Sequence, residues 1–198
     1  MTRRGRAFEG EMMSDMTVPG LSGNDCISVI GMAGAGKSTI GRALAERLEW
    51  AHVDTDFLIE SAYGARLQDI ADALGKEAFL DVEAQVIGSV RIQRAVLSTG
   101  GSAVYRPEAM QYLTSLGPVV YLDVPLEVIL ERIARKPDRG LAIAPGQTVE
   151  DLFREREILY RQWATCTVAA AEISVARCVE TILERLAESG PAGERAGK

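Results

Sequence analysis

Short apolar runs alternate with amphipathic stretches along most of the chain. Residues 26–30, 50–53, 94–99 and 165–168 read as short strands, and 118–124 as the clearest one. Its near-continuous apolar run fits a parallel strand covered on both faces. Between strands the period changes. Ile40, Leu44 and Leu48 recur at helical spacing, with Arg42, Glu46 and Arg47 on the opposite face. The same spacing predicts helices over about 57–61, 68–74, 79–93, 107–116, 125–133 and 149–163, and a last one from a Ser174 cap through Leu186. Gly64 reads as a C-cap, and Pro107 suits a first helical turn. Strands alternating with helices predict an α/β fold with a mainly parallel sheet and right-handed crossovers.

The chain has 198 residues, 47% hydrophobic and 25% charged, which suits one soluble domain over 26–188. Residues 1–25 and 189–198 lack periodic apolar positions and read as a disordered extension and tail. Residues 135–148 carry Pro137, Gly140, Pro145 and Gly146 and read as a loop. The net charge of −6 comes without a basic stripe, which argues against a nucleic-acid partner. No apolar run is long enough to span a bilayer. Cys26, Cys166 and Cys178 are scattered without metal-ligand spacing and read as core residues in a reducing cytoplasm.

Chemistry enters at Gly31-Met32-Ala33-Gly34-Ala35-Gly36-Lys37-Ser38, a G-x-x-x-x-G-K-[ST] motif between a strand and a helix, followed by Thr39. Glycines let such a backbone wrap a phosphate chain, its N–H groups point inward, and the helix N-terminus adds positive potential. Gly34, Ala35, Gly36, Lys37, Ser38 and Thr39 are therefore assigned to ATP. Lys37 reaches the β- and γ-phosphates, and the Ser38 hydroxyl ligates Mg²⁺. Asp54 and Asp56 follow the second strand. On an extended segment they point to one side, Asp54 to hold the metal and Asp56 to take the proton of an attacking hydroxyl. The competing reading has both capping the next helix. Gly100-Gly101 lets backbone approach an acceptor closely. Arg139, in the loop, suits a lid residue over the phosphates, and Arg156 suits a fork onto a substrate carboxylate, against a surface ion-pair network. Asp123 and His52 read as structural.

Together these pieces resemble the shikimate kinase family. The resemblance runs from about Ile27 to Leu186 through Gly34–Gly41, Asp54-Thr55-Asp56, Glu77-Ala78-Phe79 with Glu83, Thr99-Gly100-Gly101, Val120–Asp123 and Arg156 with Leu159-Tyr160. It implies a five-stranded parallel sheet flanked by helices, a P-loop nucleoside-monophosphate-kinase-like core with a lid loop, and ATP-dependent phosphorylation of a small hydroxyl acid. It also implies a monomer, acceptor contacts at Asp56, Gly101 and Arg156, and an ATP contact at Arg139. Three departures stand out, mostly around the acceptor. Leu80 stands where the family has a carboxylate-gripping arginine, Ser102 replaces the third glycine, and the lid's R-P-L-L is Arg139-Gly140-Leu141-Ala142. Losing one charge-assisted arm costs on the order of 2–3 kcal/mol of binding. An ammonium is tolerated beside leucine, so an amino-acid acceptor, homoserine first, is favoured slightly over shikimate. Compensation of Leu80 by Arg66 would restore shikimate. A catalytically inactive nucleotide-binding regulator is the reading from another class. A nucleotide or gluconate kinase of related fold is a third.

Overall fold

The computed structural model describes residues 21, 25–135, 143 and 146–189. Its order is β1 (Ile27–Ile30), α1 (Lys37–Leu48), β2 (Ala51–Asp54), α2 (Thr55–Tyr63), α3 (Leu67–Leu74), α4 (Lys76–Ser89), β3 (Ala95–Ser98), α5 (Pro107–Leu116), β4 (Val119–Asp123), α6 (Leu126–Ala134), α7 (Val149–Trp163), β5 (Cys166–Ala169) and α8 (Val175–Ser189), with a 3-10 turn at Ala103–Tyr105. The expected strand–helix alternation is present, and the sheet is five-stranded in the order β2-β3-β1-β4-β5. Every pairing is parallel.

The central strands explain themselves. Every residue of β1 and β3 is buried, as are the first four of β4, because helices cover both faces. The main core runs from these strands to the inward faces of α1 and α8, where Cys178, Val179, Ile182 and Leu186 recur at helical spacing. A second, smaller apolar cluster is separate from it. Ile59, Ile70, Ala71 and Phe79 hold α2, α3 and α4 together, with Leu67, Val82 and Val86 against them.

Several helix bounds differ from expectation, two of them for a clear local reason. The fourth helix, α4, stops at Ser89 rather than near 93, because Val90 is extended and Arg94 takes a left-handed φ of 51° on the way into β3. The helix after β2 begins at Thr55, two residues early, because the Asp54 side chain accepts the Asp56 N–H at 3.1 Å and caps it. Gly64 does close α2 in the left-handed region, Pro107 does occupy the first turn of α5, and the Ser174 hydroxyl does accept the Arg177 N–H at the start of α8. The readings for the extension, the loop around Arg139 and the tail lie outside the described residues, apart from their edges. At one edge Leu21 packs, partly buried, against the main core, and at another Ser189 still belongs to α8.

Candidate active site

β1 lies centrally, flanked by β3 and β4, so its carboxyl end opens where the chain crosses from one half of the sheet to the other. The motif loop sits there. Gly36 caps α1 at φ 98°, a conformation that side chains rarely adopt. The next residue, Lys37, is only 9% exposed, and its ammonium donates to the carbonyls of Gly31 and Met32, both at 2.9 Å. Arg132 of α6 braces the loop from outside by donating to the Gly34 carbonyl at 3.0 Å. Ser38 and Thr39 remain exposed.

Opposite the loop, Asp54 ends β2 and Asp56 lies in the first turn of α2. They are not two positions on one extended segment, as the sequence suggested, yet both line one cleft. The capping reading therefore holds for Asp54 without removing it from the cleft. Asp56 Oδ1 is buried and has no hydrogen-bond partner among the described residues. Burial foremost, and then the Asp54 charge, push the Asp56 carboxyl up to about 6, against the pull of Lys37. Glu83, from α4, is 2% exposed. Burial raises it to about 7, Asp56 adds to the rise, and the Ser102 hydroxyl donating to Oε2, with Arg156 and Lys37 nearby, opposes it. Gly100 lies between the two acids. A Cβ there would collide with Glu83 Oε1 and come within 2.8 Å of Asp56 Oδ1, so a larger residue would have to displace both carboxylates. The Gly100 N–H donates to the Thr55 hydroxyl at 3.3 Å, which ties this turn to α2.

Arg156 is not a surface residue. It is 2% exposed, donates from Nε to the Tyr105 hydroxyl at 3.3 Å, and stacks its guanidinium 5.1 Å from that ring centre. The neighbouring Tyr160 hydroxyl donates to the Gly101 carbonyl at 2.6 Å, fixing the glycine turn against α7.

A cleft of about 380 Å³ gathers Gly34, Gly36, Lys37, Ser38, Thr39, Asp54, Asp56, Gly100, Gly101 and Arg156. These are the sequence-derived candidates except Ala35 and Arg139. Ala35 lines a second cleft, of about 360 Å³, across the same loop, with Arg132, Arg135 and Ile173. Arg139 lies outside the described residues. Leu80 is 2% exposed and does not line the first cleft, whereas Arg66 does, its guanidinium held by Asp69 at 3.0 Å. The Ser38 hydroxyl and the Asp54 carboxylate, both lining this cleft, suit a hard divalent cation that keeps most of its shell from water and phosphate.

The family model for shikimate kinase matches residues 33–187. The chain belongs to the shikimate kinase family. A shikimate kinase of Nitrobacter winogradskyi is 40% identical over 167 residues, covering 81% of this chain and 78% of that protein. One of Synechococcus elongatus is 37% identical, covering 88% and 96%. Among solved structures, the shikimate kinase of Acinetobacter baumannii in complex with shikimate superposes with a TM-score of 0.75 at 31% identity, covering 88% of this chain and 96% of that one. The chain is thus a phosphotransferase with an alcohol group as acceptor, of a family that uses ATP. The reading as an inactive regulator has no support from these relatives, and the relatives named here are shikimate kinases rather than homoserine kinases.

Sequence reasoning passed over the roles of three residues. Glu83 was noticed only as part of a motif; its signal is a carboxylate one turn after Phe79, at a core-facing position of a helix. Ser102 and Tyr105 leave no local signal, because their partners Glu83 and Arg156 are 19 and 51 residues away. Asp123 is structural as expected, paired with Arg161 at 2.8 Å, and His52 meets the Ser98 hydroxyl at 3.0 Å. Cys26 and Cys178 are buried and Cys166 is half-buried, all three as free thiols.

Proposed function

We propose that this chain transfers the γ-phosphoryl group of ATP, with Mg²⁺, to a hydroxyl of shikimate. The observation that carries the reading is the single cleft joining Lys37 of the loop to Asp56 and Arg156. Phosphoryl transfer asks a protein mainly for positioning and charge neutralisation. The backbone N–H groups from Gly34 to Thr39 cradle the phosphates, and Lys37 neutralises their charge. Ser38 and Asp54 would hold the metal, which supplies further positive charge at the phosphates. Asp56 receives the proton of the attacking hydroxyl. With its carboxyl raised to about 6, it is a stronger base than an ordinary aspartate and is still ionised near neutrality. Arg156 forks onto the acceptor's carboxylate, and Gly100 and Gly101 let the acceptor approach the turn. Arg139, outside the described residues, is assigned to ATP by the family resemblance alone and would complete the charge balance. A cytoplasmic monomer belongs to the same reading. Among the described residues no helix is long and apolar enough to cross a membrane.

Shikimate is preferred to homoserine for two reasons. The named relatives act on shikimate by name. The argument for an amino acid rested on Leu80, which is turned away from the cleft and so neither grips nor spares an acceptor. Arg66, on the cleft wall, offers a second guanidinium for a carboxylate. ADP release from MgATP, measured with shikimate and with L-homoserine, tests the reading. Turnover with shikimate alone is expected, and turnover with homoserine alone would overturn it.

A further inference from the structure

Two carboxylate oxygens stand side by side on the cleft floor, and phosphoryl transfer uses only one of them. Asp56 Oδ1 and Glu83 Oε1 both face the space that a side chain on Gly100 would fill. Glu83 Oε2 is occupied, since it accepts the buried Ser102 hydroxyl. That bond fixes the carboxylate plane and leaves Oε1 toward the cleft. Leu80, one turn earlier on α4, brings no charge to Glu83. Arg156 stands on the same floor as the only arginine of α7 that lines this cleft.

We propose that Glu83 is a specificity-determining residue of the acceptor site, held by Ser102 so that Oε1 receives a second hydroxyl of the acceptor. The inference rests on the shikimate reading and sharpens it. The acceptor is a small carboxylic acid with hydroxyls on adjacent carbons, the reacting one on Asp56 and its neighbour on Glu83. Two neighbouring donors match two neighbouring acceptor oxygens, one of which, Asp56 Oδ1, is buried without a partner among the described residues. A site built to bind a substrate hydroxyl rejects the analogue lacking it, because its own buried group is then left unpaired. Ser102 is a positioning residue in this scheme, acting through Glu83.

The test compares shikimate with the analogue lacking the hydroxyl next to the phosphorylated one. Calorimetric binding and acceptor KM are measured for wild type, Glu83→Gln and Ser102→Gly, with thermal unfolding as the check on folding. Glutamine still accepts from Ser102, so the fold is retained. Wild type is expected to prefer shikimate by about 10-fold or more. The preference falls to within about 3-fold in Glu83→Gln and to an intermediate value in Ser102→Gly, with ATP KM unchanged. An undiminished preference in Glu83→Gln, or none in wild type, overturns the role of Glu83 while leaving shikimate as substrate. Failure of wild type to bind or phosphorylate shikimate at all sinks the functional reading instead, and this inference with it.

Discussion

The two sides of the cleft are built in opposite ways. The phosphate side comes from one contiguous segment, Gly31–Ser38, and works mostly through backbone. The acceptor side is assembled from the start of α2, from α4, from the turn after β3 and from α7, and works through side chains. A backbone cradle depends less on side-chain identity, since any residue but proline supplies an N–H. A side-chain site has no such slack, because each of Asp56, Glu83 and Arg156 performs a separate task. Two departures from the family pattern, Leu80 and Ser102, lie on the elements of the second side, and Ser102, through Glu83, is where a single replacement can change recognition without touching phosphate binding.

The sharpest way to break this contrast is to remove the buried lysine side chain of the phosphate side. Lys37→Met should lower kcat by about 10³-fold, as loss of a preorganised transition-state charge does, with thermal unfolding showing the fold intact. Asp56→Asn should cost about 10²- to 10⁴-fold in kcat and leave ATP affinity within a few-fold. It should also raise the unfolding temperature at neutral pH. The Asp56 carboxyl is pushed up to about 6, so the folded state binds more protons than the unfolded state from about pH 4 to 6. Stability is therefore lost as pH rises through that window, and asparagine removes the loss. For the same reason wild-type kcat/KM should fall about tenfold per unit below about pH 6, as Asp56 protonates. If the fall instead begins well below pH 5, Asp56 is not the proton acceptor. Arg156→Lys should raise acceptor KM by about 10-fold and leave ATP KM unchanged, because a point charge cannot fork. Equal rises in both would erase the division between the sides. The smallest expected effect is Ile70→Val in the minor apolar cluster. It costs about 0.5–1.5 kcal/mol and should move acceptor KM a few-fold with no change for ATP.

The same contrast decides what was legible in the sequence. The loop carries its strand, its glycines and its lysine within one stretch, so local pattern suffices. Helices α5 and α7 were readable to the residue, from a proline at one start and a sustained apolar period. The start of α2 was misread because the cap came from Asp54, a residue already assigned to chemistry. The end of α4 was misread because Ile92 packs against the main core and extends the apolar pattern past the last helical turn. Arg156 illustrates the harder limit. Between Glu155 and Glu157 it looks like a member of a surface charge run, and only the approach of Tyr105 and the glycine turn makes it buried. Leu80 misled in the opposite sense. Its identity was informative, but the direction of its side chain is set by α4 packing, and that direction removes it from the acceptor's reach.

The minor cluster of Ile59, Ile70, Ala71 and Phe79 has a consequence beyond holding three helices together. It gives α2, α3 and the first turn of α4 a foundation separate from the core beneath the phosphate loop, while Ala84 and Ile87 tie the rest of α4 into that core. Drift in α2 and α3 spends little of the stability that the sheet provides. Changes on the acceptor wall can therefore proceed in small steps while the phosphate-binding loop is left in place, and the grip can be altered without rebuilding the engine.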